Sequence, residues 1–364
     1  MKALFVLPNP IIGGAERVAF NVINYLLENQ WVVSLYIVSK GAGTDWLLLS
    51  EKYPNFKLIA PKYSRELTGL IGLLKFIWSI RKLDSFDLVF STHTHINGVL
   101  SLFRRLKFIR CASLVSREST FILERFFGLK RMFFIFIYKY CYGQQNLLIC
   151  QTNGMKKSLV ENLGFEPCKN IVVIKNPLYL KEIDSKILSV KMELTKPIIV
   201  CCGRLIKLKG FDKLIIAYDQ SLIRNKYDLV IIGDGSEVFA LKDIIKKCNL
   251  GDSVRMLGNI DNPFIWFALA DIGIISSDRE GFPNVLIEMM ASSIKSIITT
   301  PCTDGVFEIP KIYITDNSTV DAMVRVLNKF IEKQDNNSLF YRAYVESEHS
   351  IDNFVEKCIK AGVL

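Results

Sequence analysis

The sequence repeats one pattern along its length: a short apolar segment, a loop and then an amphipathic helix. The apolar segments are rich in β-branched residues and often apolar on both faces, as buried parallel strands are. Because helices must cover both faces of a parallel sheet, the pattern predicts an α/β, doubly wound fold. The strands predicted in the first half are residues 2–7, 32–38, 57–60, 88–91, 112–116, 147–150 and 171–174.

The pattern breaks at Asn176-Pro177 and resumes at Pro197. The residue before a proline disfavours helix, so the 364 residues divide into domains 1–177 and 197–344 with a linker over 178–196. Ligands of such sheets bind beyond the carboxyl ends of the strands, which predicts a site in the cleft between two facing domains. The second series has strands at 198–202, 229–232, 254–256, 272–275, 296–299 and 311–314, and the helices of both series include 15–28, 153–162, 211–218, 237–248 and 284–292.

Composition excludes several classes of protein. Half of the residues are hydrophobic and 23% are charged, which rules out a disordered chain or a coiled coil. The nine cysteines contain no Cys-x-x-Cys pair, and we interpret them as reduced residues of a cytosolic protein. The start of the chain lacks the charge and hydropathy pattern of a signal peptide. The longest apolar stretch, residues 67–80, contains Lys75 and is too short to span a bilayer.

The positive charge is concentrated in the first half of the chain. The formal net charge is +10, whereas residues 1–180 carry +12 and residues 181–364 carry −2. Residues 101–140 add eight phenylalanines, a composition typical of a segment on an anionic membrane surface. A solvated helix face is the alternative, and the motifs that would favour nucleic acid are missing. The nine basic residues of this segment are Arg104, Arg105, Lys107, Arg110, Arg117, Arg125, Lys130, Arg131 and Lys139.

A glycine-containing loop follows the first strand of each domain. Gly13 and Gly14 open the first helix, and paired glycines let backbone N–H groups approach an anion, although a plain tight turn is the alternative. Arg204 and Lys209 follow the strand 198–202. Arginine binds phosphate bidentately and lysine acts as a point charge, so this pair suits a diphosphate; a solvated basic turn is the alternative.

Residues 276–288 carry the most informative chemistry. A strand runs into Glu280, and a helix is predicted to begin near Pro283. Glu280 precedes that helix and Glu288 lies just over one turn into it, so the two carboxylates can reach different parts of one ligand. The N–H groups at the helix start favour an anion, and a carboxylate that accepts two vicinal hydroxyls is a usual way to hold ribose. Two unrelated surface glutamates are the alternative.

Two of the three histidines, His93 and His95, follow the strand 88–91. Their spacing can suit a metal, but no carboxylate or thiolate partner converges with them in the sequence, so we expect no metal site. A hydrogen-bonding role at the cleft is favoured over a helix cap or a core position. The sequence also lacks G-x-S-x-G, Walker A and Asp-x-Asp motifs, which leaves a metal-bridged diphosphate without obvious ligands.

Together these residues resemble the large family-four group of retaining glycosyltransferases, which have the GT-B fold. The resemblance covers nearly the whole chain, in order. It implies two facing Rossmann-like domains with an interdomain cleft, and a final helix, about 345–364, that returns to the first domain. The motifs that carry it are Gly13-Gly14-Ala15-Glu16-Arg17, Lys175-Asn176-Pro177, Gly203-Arg204 with Lys209-Gly210, Gly233-Asp234-Gly235, Glu280-x7-Glu288 and the loop 300–309.

The resemblance implies a nucleotide-sugar donor, most often a UDP-sugar, bound mainly by the second domain. Arg204 and Lys209 would hold the diphosphate and stabilise its developing charge, and Glu288 would take the ribose hydroxyls. Gly13 and Gly14 would approach the phosphates.

The resemblance also implies contacts to the donor sugar. His95, with His93 as the alternative, would lie near this sugar. No protein nucleophile is implied. The sugar would contact Glu280 and the backbone of the residues that follow it, Gly281, Phe282 and Pro283.

The implied reaction is hexosyl or N-acetylhexosaminyl transfer with retention, without a metal or cofactor. The acceptor would be a polyprenyl-diphosphate-linked saccharide on the inner face of the cell membrane, in surface polysaccharide biosynthesis such as that of lipopolysaccharide or capsule. One alternative is a nucleotide-sugar 2-epimerase on the same fold, for which three histidines supply few titratable groups. The other is a non-catalytic sugar-nucleotide-binding scaffold, against which the intact Arg204, Lys209, Glu280 and Glu288 argue.

The sequence departs from the family pattern in two places. Ser293 and Lys295 stand where the family usually has glycine and proline, which leaves open the geometry of the turn after the helix that carries Glu288, and with it the contacts of the donor sugar. Residues 116–119, Ser-Arg-Glu-Ser, only approximate the usual Ser-Glu-Arg-Asn.

Overall fold

The computed structural model describes residues 1–41, 45–59, 63–80, 85–188, 195–332 and 335–363, which divide between two units. The first unit is Met1–Pro177 together with the segment from Ile351, and the second is Leu178–Ser350. The main segment of the first unit runs to Pro177, the last residue of the first predicted domain. The returning segment begins at Ile351 rather than near residue 345.

Seven parallel strands form the sheet of the first unit. They are β1 (Lys2–Leu7), β2 (Val32–Ile37), β3 (Phe56–Ile59), β4 (Phe86–Ser91), β5 (Cys111–Arg117), β6 (Leu147–Cys150) and β7 (Ile171–Val173). Their order across the sheet is β3-β2-β1-β4-β5-β6-β7. The chain builds β2 and β3 on one side of β1 and continues with β4 on the other. The point where the strand order reverses, at which ligands bind in such sheets, therefore lies between β1 and β4.

Helices cover this sheet because their apolar stripes pack onto its strands. Leu73 and Ile77 of the helix Glu66–Ile80 share a core with Leu100 of the helix Thr94–Arg105 and with Leu4 and Val6 of β1. A π-helix, Ile137–Cys141, continues directly from the sixth helix. The helices before residue 178 are α1 (Gly14–Glu28), α2 (Asp45–Lys52), α3 (Glu66–Ile80), α4 (Thr94–Arg105), α5 (Ile122–Arg125), α6 (Gly128–Phe136) and α7 (Asn153–Leu163).

Six parallel strands form the sheet of the second unit. They are β8 (Ile198–Cys202), β9 (Asp228–Ile232), β10 (Val254–Gly258), β11 (Ile272–Ile275), β12 (Ser296–Thr299) and β13 (Tyr313–Ile314). Their order is β10-β9-β8-β11-β12-β13, so the strand order reverses between β8 and β11. The helices that follow the first unit are α8 (Leu180–Ile187), α9 (Phe211–Gln220), α10 (Val238–Lys247), α11 (Phe264–Leu269), α12 (Asn284–Ala291), α13 (Val320–Glu332), α14 (Ser338–His349) and α15 (Ile351–Lys360).

The linker expected over 178–196 is largely part of the second unit. Leu178 and Ile183 are buried in its core, with Leu180 and Ile187 packed beside them. Leu180, Ile183 and Ile187 recur at helical spacing and give α8 an apolar stripe, which explains why it packs instead of spanning solvent. Residues 189–194 of the expected linker lie outside the described residues.

The turn after α12 has a backbone conformation that favours glycine, although the residue there is Ser293. Ser293 has a φ of 64°, in the left-handed region that favours glycine. Serine therefore adopts at this turn a strained conformation that glycine adopts without cost. Lys295 forms an ion pair with Asp271.

We expect Ser293→Gly to stabilise the protein by about 0.5–1 kcal/mol, because the left-handed strain exceeds the entropy cost of glycine in the unfolded chain. Ser293 is exposed, so the change removes little packing. Ser185, exposed and within α8, is a matched control, and Ser185→Gly should destabilise by about 0.5 kcal/mol. Calorimetric Tm values measure both, and a lower Tm for Ser293→Gly would contradict the assignment of strain.

Candidate functional site

Two loops of the second unit meet where β8 and β11 end, at the reversal of strand order. The loop 203–210 follows β8 and the loop 276–283 follows β11. The Ser276 hydroxyl donates a hydrogen bond of 2.8 Å to the Lys209 carbonyl oxygen. The structure thus brings together two of the segments that the sequence singles out.

Lys209 and Glu280 form an ion pair at this junction. Their side chains are 20% and 14% exposed, which makes the pair charge-assisted and largely shielded from water. The Ser277 hydroxyl donates to the same Glu280 oxygen at 2.7 Å, and the Glu280 N–H donates to the Cys302 carbonyl oxygen at 2.8 Å. The ammonium expected on the diphosphate and the carboxylate expected on the donor sugar are therefore bound to each other. An incoming phosphate would compete with Glu280 for Lys209.

Close backbone contacts make glycine necessary on both sides of this junction. A Cβ on Gly210, whose φ is 64°, would lie 2.3 Å from the Ser276 carbonyl oxygen. A Cβ on Gly233 would lie 1.9 Å from the Gly203 carbonyl oxygen. Real Cβ atoms do not approach this closely, so both positions exclude other residues. The turn around Gly233 therefore supports the loop that carries Arg204.

Arg204 differs from the lysines around it. Its side chain is exposed, and among the described residues its guanidinium has no ion-pair partner. Lys207 pairs with Asp212 at 2.5 Å, and Lys213 pairs with Asp278. Arg204 is accordingly available to an anion in a way that these lysines are not.

The loop before α12 is held by its neighbours. The Thr303 hydroxyl donates to the Gly281 carbonyl oxygen at 3.1 Å, and the Phe282 ring stacks on His349 with centroids 5.7 Å apart. Pro283 is buried at the helix start. Glu288, half-buried, lies in the second turn of α12, so its carboxylate occupies a different position from that of Glu280.

Cys302 is a neighbour of Glu280 that sequence reasoning did not assign to the site. Burial, followed by the charge of Glu280, raises the pKa of its thiol to about 12. A thiol protonated at neutral pH is a poor nucleophile, so Cys302 contributes a small apolar surface rather than chemistry. A recess at this junction has apolar walls from Phe211, Ile275 and Val285.

A second polar cluster lies in the first unit, after β1 and β4. The Glu16 carboxylate accepts a hydrogen bond of 3.2 Å from the Gly13 N–H, and its other oxygen lies 3.4 Å from His93 Nε2. Glu16 is 6% exposed. One buried carboxylate thus ties the glycine turn to a histidine. The contact from Glu16 back to the Gly13 N–H is one half of a capping box; Gly13 has no side chain for the other half, so the sequence lacks the usual Ser/Thr-x-x-Glu signal for this link.

His93 and His95 have different partners. Burial, and then the charge of His95, lowers the pKa of His93 to about 3, so its ring is neutral at pH 7. A neutral ring fits one tautomer: Nδ1 accepts from the Thr92 hydroxyl at 3.0 Å, which places the ring proton on Nε2, the atom 3.4 Å from Glu16. His95 Nε2 contacts Glu66 on α3, and this hydrogen bond lowers the pKa of Glu66. The geometry gives both histidines a defined position.

A buried network holds the backbone that carries these histidines. Glu118 is 1% exposed and accepts hydrogen bonds of 2.6 Å from the Thr94 and Tyr142 hydroxyls. Thr94 begins α4 directly after His93. Arg117 donates to the Asn176 side chain, so two of the sequence motifs meet here. Arg117 is 1% exposed and burial lowers its pKa to about 10, which corrects its assignment to a basic surface.

Within the described ranges no three His, Cys, Asp or Glu side chains converge as metal ligands. All nine cysteines are free. No helix in the described part of the chain is long and apolar enough to cross a membrane.

The chain matches two glycosyltransferase family models. Residues 12–182 match Glycosyltransferase Family 4, and residues 184–345 match Glycosyl transferases group 1. Together they cover nearly the whole chain, which belongs to the family-four glycosyltransferases with the GT-B fold. The expectations of family and fold are confirmed.

Relatives and solved structures agree with this family. An N-acetylgalactosaminyltransferase of Campylobacter jejuni that acts on a diphospho-undecaprenol-linked sugar is 32% identical over 46% of this chain, but the match spans only 44% of that enzyme. AmsD of Erwinia amylovora, an amylovoran biosynthesis glycosyltransferase, is 24% identical over 88% of this chain and 87% of its own. The structure of Anabaena HepE with UDP-glucose superimposes with a TM-score of 0.80 at 17% identity, covering 99% of this chain and 98% of that one.

The depressed pKa of His93 predicts a pH dependence of stability. In the unfolded chain His93 binds a proton near pH 6.5, whereas in the folded protein its pKa is about 3. The contribution of this pKa difference to the free energy of unfolding is fully present above pH 6.5. It is lost as the pH falls towards 3, by up to about 1 kcal/mol per pH unit. His93→Gln keeps a donor for Glu16 and does not titrate, so its stability should fall less between pH 6.5 and 5. Urea unfolding at each pH measures the free energy of unfolding. If this free energy fell equally with pH in the wild type and in His93→Gln, the assignment would be refuted.

Proposed function

We propose that the protein is a retaining glycosyltransferase that moves a sugar from a UDP-sugar to a lipid-linked saccharide in surface polysaccharide biosynthesis. The observation that carries the proposal is the cluster at the ends of β8 and β11. There Lys209, on the loop that also holds the exposed Arg204, forms a shielded ion pair with Glu280 of the neighbouring loop 276–283. Two cations beside a carboxylate suit a ligand with a diphosphate at one end and a sugar at the other.

The donor is assigned to the second unit. Arg204 and Lys209 would bind the diphosphate, and Glu288 would accept hydrogen bonds from the ribose hydroxyls. Glu280, released from Lys209 by the phosphate, would turn to the sugar hydroxyls beside Gly281, Phe282 and Pro283. Binding by HepE of UDP-glucose supports a uridine nucleotide, because that structure shares the fold over nearly the whole chain.

In the reaction, the bond from the anomeric carbon to the diphosphate breaks and positive charge develops on the sugar. The leaving oxygen becomes negative, and Arg204 and Lys209 stabilise that charge in a site preorganised for it. The acceptor hydroxyl attacks the same face that the diphosphate leaves and passes its proton to the leaving phosphate oxygen. In this proposal these cations take the place of a metal on the phosphate charge, and attack on the same face involves no protein nucleophile.

The acceptor is assigned to the first unit, which carries the positive charge. We propose a polyprenyl-diphosphate-linked saccharide, with hexosyl or N-acetylhexosaminyl transfer at the inner face of the cell membrane, where the protein is peripheral. An Escherichia coli relative, 27% identical over 80% of this chain and 77% of its own, is named as a galactosyltransferase from UDP-Gal to a diphosphoundecaprenol-linked sugar. From this unit we also propose that Gly13 and Gly14 approach the donor's phosphates and that His95, with His93 as the alternative, lies near the donor sugar.

We expect transfer from a radiolabelled UDP-sugar to undecaprenyl-diphosphate-linked N-acetylhexosamine, unchanged by EDTA and with a product whose anomeric proton coupling in NMR shows retention. Lys209→Gln should lower kcat by about 100-fold or more, because it removes a preorganised charge from the leaving group.

Lys207→Gln is the matched control, since Lys207 lies on the same loop but is exposed and paired with Asp212. It should leave kcat within about twofold, as expected for a surface pair. An equal loss in both variants would contradict the assigned role of Lys209. Failure to consume any UDP-sugar with such acceptors would overturn the proposed reaction.

A further inference from the structure

The first unit carries a continuous apolar surface on α6 and the π-helix that follows it. Six large side chains within 14 residues are between 51% and 84% exposed, and no residue of α6 is buried. Single exposed apolar residues are ordinary, but a contiguous set marks a binding surface. We call this set the apolar ridge: Phe127, Leu129, Met132, Phe133, Phe136 and Tyr140.

The ridge is held firmly from below. Ile137 and Tyr138 of the π-helix are buried in the core. Arg105 donates a hydrogen bond of 2.7 Å to the Tyr140 carbonyl oxygen, and Arg131 donates to the Leu123 carbonyl oxygen at 3.1 Å. The exposed rings therefore project from an ordered base instead of lying in a loose loop.

Positive charge frames the ridge. Arg125, Lys130 and Lys139 are exposed, and all three lie 5.4–5.8 Å from the centroids of ring side chains in the same segment. The only acidic residue between positions 122 and 141 is Glu124, which hydrogen-bonds with Ser158. Of the nine basic residues predicted to act together, Arg117 is buried, and Arg104, Arg105 and Arg131 donate to protein acceptors. Of the other five, all exposed, Arg125, Lys130 and Lys139 lie in the segment of the ridge, and Lys107 and Arg110 lie before it in the sequence.

A smaller apolar patch lies on α3, where Ile71 and Trp78 are 54% and 51% exposed. The cores of α3 and α4 are shared, and α4 packs closely on the π-helix, where Gly98 leaves no room for a Cβ beside Ile137. The edge of Trp78 meets Phe108, which follows α4, with ring centroids 5.8 Å apart. Both apolar surfaces therefore flank α4 in the first unit.

We propose that the apolar ridge inserts into an anionic lipid bilayer while Arg125, Lys130 and Lys139 meet the headgroups, with Trp78 of α3 as a second contact. Apolar side chains that enter the acyl boundary beside basic ones are how interfacial helices bind membranes, and tryptophan favours that interface. The inference deepens the proposed function by naming the surface that would bring the protein to a lipid-linked acceptor. The biological role of this surface rests on the proposed function, whereas the expected lipid binding rests on the exposure and charge of its residues.

The test is flotation of the full chain with vesicles of phosphatidylglycerol and phosphatidylethanolamine, compared with pure phosphatidylcholine. The wild type should bind the anionic vesicles and lose that binding in high salt. Phe127→Ser with Leu129→Ser should weaken binding at least about tenfold, because both side chains leave the acyl boundary. Lys130→Gln with Lys139→Gln should weaken it about tenfold through lost headgroup attraction.

A matched control is Phe239→Ser with Leu339→Ser, since these residues are 82% and 88% exposed on helices of the second unit. This variant should bind as the wild type does. Equal binding by the ridge variant, or no binding of the wild type to anionic vesicles, would overturn the inference. The inference would also be overturned if ultracentrifugation showed a wild-type dimer that the ridge substitutions dissociate, with no lipid binding by either protein.

Stabilisation by UDP in a thermal-shift assay separates the two proposals. Vesicle binding without UDP binding would support the membrane-binding surface and contradict the proposed transferase activity. UDP binding and transfer to a short-chain acceptor without vesicle binding would support the transferase activity and contradict the membrane-binding surface.

Discussion

The ion pair between Lys209 and Glu280 is the interaction on which the site in the second unit depends. It forms because β8 and β11 are neighbours at the reversal of strand order and so end side by side. Gly210 permits the two loops to approach, and the Ser276 hydroxyl ties them together. A carboxylate that holds a shielded lysine keeps that lysine ordered until a stronger anion arrives. Under the proposed function, the pair holds the ammonium that would bind phosphate in a form that the folded protein tolerates.

The first unit uses the same principle with different residues. Its two buried carboxylates, Glu16 and Glu118, each organise a turn at the carboxyl ends of β1, β4 and β5. Glu16 links the glycine turn to His93, and Glu118 secures the start of α4. Buried polar groups must be paired, so these contacts hold the loops in single positions. Both units thus place an apolar sheet beneath a small polar cluster at the point where the strand order reverses.

Much of this arrangement could be predicted from the sequence because it depends on local patterns. The periodicity of apolar residues predicts the two sheets, and glycine and proline residues predict the loops in which Lys209 and Glu280 lie. Long-range pairing left no local signal. Nothing in the spacing of residues 209 and 280 shows that they meet, or that Arg117 faces Asn176 in the interior instead of solvent. Likewise α8 packs within the second unit although its short apolar stripe looked like part of a linker.

The central claim is that Glu280 reserves Lys209 for the phosphates of the donor. Calorimetric titration of UDP into the wild type and Glu280→Gln tests it most directly, since UDP has the diphosphate but no sugar for Glu280 to contact. Removing the competing carboxylate should tighten UDP binding by about fivefold or more, as expected for freeing a charged hydrogen bond worth at least about 1 kcal/mol. Unchanged or weaker UDP binding by Glu280→Gln would contradict the account.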